Sequence, residues 1–200
     1  MESLEQFLNK IRTTLENSVF NQDTDCYPDL SNIRNPVSTE DLTSPVTPQD
    51  CLVSFQEIIV NEITKCNSDK IKIGINELLK HLLTTITPEQ EHYLSERYLY
   101  RLRMIFKRCL MPDFPFPEEI WNYICDCLRS VGAYLVENDY YIAAQEIIDS
   151  LAQMGRIAAL KGMPTANTQS SLRLIENEAL ARDQKRLASV AKNARFNLET

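Results

Sequence analysis

Asp139–Gly162, DYYIAAQEIIDSLAQMGRIAALKG, is the stretch whose reading decides the fold. Asp139 is placed to cap a helix, its carboxylate accepting from the unpaired N–H groups of the first turn, and Gly162 can take the left-handed conformation that closes the last turn. Between them Ala143, Ile147, Leu151, Met154 and Ala158 recur at three- and four-residue steps, with Ala144, Ile148 and Gly155 alongside. Such spacing predicts one long helix with a broad buried stripe. Ala144, Gly155 and Ala159 are small enough to let a neighbouring helix come close. Gly155 costs about 1 kcal/mol of helix propensity against alanine, so something should pack there. Arg156 and Lys161 sit toward the C-terminal end, where the helix dipole favours positive charge.

Working outward, the preceding residues predict a helix from Glu118, with Ile120, Ile124, Leu128, Val131 and Leu135 on one face and Trp121 beside them. Pro117 starts it, and Glu118 and Glu119 suit its first turn. Beyond Gly162, Thr165, Asn167 or Thr168 caps a final helix running to near the C-terminus through Leu172, Ile175, Leu187, Val190 and Ala194. Earlier in the chain, Thr87-Pro88-Glu89-Gln90 reads as a capping box with proline at the first helical position, opening a helix that runs to about Leu110. Met111, Phe114 and Phe116, among Pro112, Pro115 and Pro117, are expected to plug the turn that follows. Leu52, Phe55, Ile59 and Ile63, then Ile71, Ile75, Leu78, Leu79, Leu82 and Ile86, predict two helices folded back on each other around a short break at Asn67–Asp69.

Residues 1–20 place Leu4, Leu8, Ile11, Leu15 and Val19 on one face, with Phe7 and Phe20 alongside, and predict an amphipathic opening helix. Residues 21–50 change character: Pro28, Pro36, Pro45 and Pro48 interrupt regular structure, and Asp23, Asp25, Asp29, Glu40, Asp41 and Asp50 stand against Arg34 alone. This segment is expected to form an acidic arm or linker, packed by Tyr27, Leu30, Ile33 and Val37, with Ser44-Pro45 and Thr47-Pro48 as turn chemistry. Residues 51–200 then form the helical domain. The whole reads as all-α, with roughly seven helices packed as antiparallel hairpins in a bundle or short α-solenoid.

Composition agrees with that reading. The chain has 200 residues, 44% of them hydrophobic, and only four glycines, which suits one domain or a short array of helix pairs. A net charge of −7 and a pI near 5.0 argue against a protein that wraps nucleic acid or lies on an anionic membrane. No run of about 18 apolar residues occurs and MESLEQ lacks a secretory pattern, so a cytoplasmic protein is expected. The six cysteines are expected to be thiols.

Three segments share an order of leucine, larger aliphatic or methionine, small residue, apolar residue: Leu128-Val131-Gly132-Leu135, Leu151-Met154-Gly155-Ala158 and Leu187-Val190-Ala191-Ala194. Ile71-Gly74-Ile75-Leu78 is a looser fourth. On these residues Glu118–Thr200 resembles the helical repeats of HEAT and armadillo proteins, although the offsets between segments are unequal. The resemblance implies stacked hairpins with an exposed binding face, and carries across no functional residue.

Motifs for chemistry are sparse. Cys125-x-Cys127, with Cys109, is the most tempting metal or redox set, but residues two apart on a helix diverge by about 200° and cannot chelate one ion as a Cys-x-x-Cys knuckle does. Glu89 and His92 make a single Glu-x-x-His step, and the second motif that a di-iron bundle needs is missing around His81. No nucleophile elbow and no glycine-rich phosphate loop occurs. The chain is therefore expected to be non-catalytic, with no catalytic, cofactor or metal residues. Its expected role is a helical scaffold or protein-interaction module, binding a protein partner or itself. Candidate contact residues are Arg97, Arg101 and Arg108 on the fourth helix and Arg182 and Arg186 on the last. The alternative is a nucleic-acid-associated or regulatory domain using the basic clusters around Arg101 and Arg186.

Overall fold

Within residues 2–18, 48–109 and 117–198, which the computed structural model describes, the apolar stripes fold into eight α-helices. They are α1 (Leu4–Glu16), α2 (Pro48–Thr64), α3 (Ser68–Thr85), α4 (Glu91–Arg108), α5 (Glu118–Glu137), α6 (Tyr141–Leu160), α7 (Ala166–Ala181) and α8 (Lys185–Phe196). Among the described residues there is no β-strand. Val19 and Phe20 of the expected opening helix, residues 21–47 of the expected arm and the expected plug at Met111, Phe114 and Phe116 lie outside those residues, whereas Pro48–Asp50, expected to end the arm, form the first turn of α2.

Four helices end in the same way. After α2, α5, α6 and α7 the chain turns through a residue with positive φ: Cys66 (54°), Asp139 (61°), Gly162 (67°) and Asp183 (57°). In each, the following N–H reaches five residues back, from Asn67 to Glu62, Tyr140 to Leu135, Met163 to Ala158 and Gln184 to Ala179, at 2.8–3.0 Å. This is the Schellman closure, which satisfies the last carbonyls of a helix and reverses the chain within a few residues. Sharp reversals leave consecutive helices little choice but to run antiparallel.

The helices stack in two layers. In one, α1, α3, α5 and α7 neighbour each other in that order; in the other, α2, α4, α6 and α8 do. Leu15, Ile59, Ile75, Leu102, Leu128, Ile147, Ile175 and Ala191 belong to the single buried cluster between the layers. Burying such side chains is worth about 1.5–3 kcal/mol apiece relative to leaving them in water. Helical glycines set the closest approaches. A Cβ on Gly132 would lie 2.6 Å from Ile175 Cδ1 on α7 and 3.1 Å from Ile147 Cγ2 on α6.

Several sequence expectations are corrected. Asp139 does not cap α6; it is the left-handed closing residue of α5, and Tyr140 takes the cap position with no side-chain hydrogen bond. The orphan N–H groups of α6 are met from another helix instead. Glu91, the first residue of α4, accepts from the N–H groups of Ile142 at 2.6 Å and Ala143 at 2.9 Å. Thr87-Pro88-Glu89-Gln90 forms a turn closed by Gln90 N–H on Thr87 O at 3.0 Å, and α4 begins only after it. The capping box stands at the N-terminus, where Ser3 and Gln6 satisfy each other at the start of α1. The stripe of α1 is Phe7, Ile11 and Leu15, continued by buried Ser18, and Leu4 is exposed. The final helix is two, broken at Arg182–Gln184, which makes eight helices among the described residues, in line with the expected count of roughly seven. Ala159 is exposed, and Gly155 receives the side chain of Leu198, which follows α8.

Candidate partner-binding groove

Where α3 and α5 lie side by side, their outer faces leave a groove of about 640 Å³. The three- and four-residue helical steps set its walls: Asn76, Leu79, Lys80, Leu83 and Thr84 come from α3, and Asp126, Cys127, Ser130, Val131 and Tyr134 from α5. Leu79 and Val131 form the apolar floor, while Tyr134 stands at the rim, 43% exposed. Lys80 and Thr84 also line a smaller hollow of about 120 Å³ between α1 and α3, with Arg12, Glu16, Glu77 and His81. The two hollows share one wall, so a shallow track crosses three helices of one layer.

Charges along this track are mostly matched. Arg12 Nε donates to Glu77 Oε2 at 2.9 Å, and the guanidinium holds the Glu77 carboxyl below its ordinary value. His81 is half-buried against the Tyr98 ring, 5.7 Å between centroids, and its Nε2 has no hydrogen-bond partner among the described residues. Burial lowers its pKa, so the ring is neutral at pH 7. Tyr98 in turn shares a 3.0 Å hydrogen bond with Ser18, tying the end of α1 to α4.

The arginines singled out in the sequence occupy other surfaces. Arg97, Arg101 and Arg108 lie on α4 in the opposite layer. Arg97 donates to the Tyr93 hydroxyl at 3.0 Å, Arg101 lies over the Tyr100 ring at 5.7 Å, and Arg108 reaches Glu57 of α2 at 3.9 Å. Arg182 bridges Glu178 at 3.1 Å and Glu137 of α5 at 3.5 Å. Arg186 is exposed on α8. The two groups do not come together: α6 separates α4 from α8 and presents Glu146 and Asp149, with Arg103 of α4 paired to Glu146. Tyr98 and Phe106, basic-flanked in the sequence, are core; Tyr93 and Tyr100 are exposed.

The thiols also separate. Cys125 faces Thr168 Oγ1 of α7 at 3.4 Å, Cys109 hydrogen-bonds its own helix through the Ile105 carbonyl, and Cys127 points to the groove. Burial pushes the Cys109 thiol up to about 12 and the Cys125 thiol to about 11, which keeps both protonated at neutral pH. His92 is exposed, 3.7 Å from Glu96. Among the described residues no cluster of histidine, cysteine and carboxylate is arranged to hold a metal ion, and none of their helices is long and apolar enough to cross a membrane. The groove escaped the sequence reading because it is made by the spacing of two helices, which no local pattern encodes. The chain matches no known family, no curated protein and no solved structure.

Proposed function

We propose that the protein is a non-catalytic helical scaffold that binds a segment of another protein along the track over α1, α3 and α5. The observation that supports this reading is the open groove between α3 and α5, with its floor of Leu79 and Val131 and its Tyr134 rim. An apolar floor rewards burial of a partner's side chain, and an aromatic rim residue adds area at low entropy cost. Lys80, Asn76 and Thr84 supply the polar contacts that fix orientation. The track holds a short helix or an extended segment.

The test is capture of proteins from lysate of the source organism, with and without nuclease and at two salt concentrations, using the native chain and a Tyr134→Arg/Lys80→Glu variant. Partners retained after nuclease treatment and lost with that variant support the groove. Partners that bind both chains equally sink it.

A second reading, association with nucleic acid, draws on three exposed aromatic rings that each carry a cation: Tyr93 with Arg97, Tyr100 with Arg101, and Phe196 with Arg195 at 4.7 Å. Such pairs are suited to stacking on unpaired bases. That reading requires salt-sensitive RNA or DNA binding weakened by Arg101→Glu and Arg186→Glu.

A further inference from the structure

The last hairpin, α7 with α8, differs in charge from the chain around it. The protein as a whole carries a net charge of −7, yet residues 163–198 hold six basic side chains and three acidic ones. All three carboxylates are engaged. Glu176 meets Arg195 at 3.2 Å, Glu178 meets Arg182 at 3.1 Å, and Asp183, in the turn, meets Lys185 at 3.1 Å. The last of these pairs joins two exposed side chains and is weak. α8 itself, KRLASVAKNARF, contains no acidic residue.

The helical repeat gathers the remaining cations on the outer side of α8. Leu187, Ala188 and Ala191 are buried against the stack. Lys185, Ser189, Lys192 and Phe196, at steps of four, three and four, line the other side, with Arg186 and Asn193 next to them, and all six are exposed. Arg186 and Lys192 have no carboxylate partner among the described residues. The Phe196 ring, 45% exposed, carries two cations, Arg195 at 4.7 Å and Lys192 at 5.8 Å from its centroid. No further helix covers this side among the described residues. α4, the other basic helix, is built differently: Glu146 and Glu57 engage its Arg103 and Arg108, and Glu96 stands among its cations.

We infer that the outer side of α8 binds single-stranded nucleic acid, an assignment that rests on the nucleic-acid reading above and gives that reading its main contact. Lys185, Arg186 and Lys192 meet phosphates, and Phe196 stacks on an unpaired base while its two cations face the adjoining backbone. Ser189 and Asn193, between them, supply hydrogen bonds to phosphate and sugar. A duplex keeps its base faces stacked away from such a ring. A membrane surface calls for a continuous apolar face, which Ser189 and Asn193 interrupt.

The experiment is fluorescence anisotropy of a labelled oligothymidylate titrated with the full chain over a series of salt concentrations. Four variants accompany it, Lys185→Gln/Arg186→Gln/Lys192→Gln, Phe196→Ala and Phe196→Trp on α8 and Arg101→Glu on α4, each checked for native helicity by circular dichroism. The native chain is expected to bind at low salt and to release as salt rises. The triple variant binds more weakly, and its plot of log K against log salt is shallower by about 2, from about 0.7 for each of three phosphate contacts. Phe196→Ala weakens binding by about 5- to 150-fold, the loss of one stacked base, and Phe196→Trp binds as tightly as the native chain. Arg101→Glu weakens binding less than either loss on α8, through the general field of the protein alone. Weakening by Arg101→Glu with the α8 variants unchanged overturns the inference and leaves the nucleic-acid reading standing, whereas no binding at low salt sinks both. Polyglutamate that displaces the oligonucleotide charge for charge also overturns it, because the ligand is then an acidic protein segment.

Discussion

At the scale of single residues, the positions that matter most are the ones where the backbone is made to do something unusual. Cys66 holds φ at 54°, a conformation that costs an L-residue about 1–2 kcal/mol and glycine almost nothing. Its side chain is exposed. Cys66→Gly is therefore expected to stabilise the fold by about 0.5–1 kcal/mol, net of the extra chain entropy of glycine, seen as a melting temperature higher by a few degrees. Glu91→Ala strips two N–H groups of α6 of their acceptor and is expected to cost about 1–2 kcal/mol in urea denaturation, with Glu91→Gln losing less because an amide oxygen remains. His81 sets a pH dependence. Burial lowers its pKa from 6.5, so the unfolded chain binds more protons than the folded one in the window between the two values. Its contribution is complete above pH 6.5 and is lost as pH falls below it. Stability measured between about pH 5 and 7 should slope accordingly, and His81→Leu should flatten that slope. Gly162 announced its role in the sequence, because glycine after an apolar run is the ordinary partner of a left-handed turn. Asp139 misled because aspartate serves two roles, helix cap and left-handed residue, and only the position of the preceding helix end separates them.

At the scale of elements, helix identity followed from apolar periodicity and the boundaries did not. α5 and α6 lie where the stripes of Ile124, Leu128, Leu135 and of Ile147, Leu151, Met154 put them. The break between α7 and α8 carries neither glycine nor proline. It rests on Asp183 in the left-handed region and on Gln184, whose amide donates to Val136 O at 3.2 Å and Asp139 Oδ1 at 3.1 Å, contacts distant in sequence. Close helix approach gives a sharper test. Gly132 leaves no room for branching between Ile147 and Ile175, so Gly132→Val is expected to destabilise by about 1–3 kcal/mol through overpacking. Combining it with Ile175→Ala should recover part of that loss, whereas strictly additive costs would show that the two side chains do not compete for one space.

At the scale of the whole molecule, the repeated hairpin was legible only as an echo among Gly74, Gly132 and Gly155, because these glycines accept different neighbours: Ile59 of α2, Ile175 of α7 and Leu198 after α8. Two hairpins, α5–α6 and α7–α8, share the Schellman reversal, which depends on where the first helix ends and is not a property of a single sequence window. Most ion pairs between hairpins have at least one exposed partner and are screened by salt, while Lys70, which meets Glu2, is buried. Raising sodium chloride should therefore lower the melting temperature by a few degrees before any salting-out effect appears. A rise from the first addition of salt would show that these ion pairs do not stabilise the stack.

Between the second and third hairpins, α4 and α5 meet through side chains, the rings of Phe106 and Trp121 6.0 Å apart, rather than through the close backbone approach seen between α2 and α3 or between α6 and α7. That boundary is also where the groove opens. The two layers hold this boundary unequally: α4 packs more extensively on α6 than α3 does on α5, so the groove lies on the thinner side of the joint.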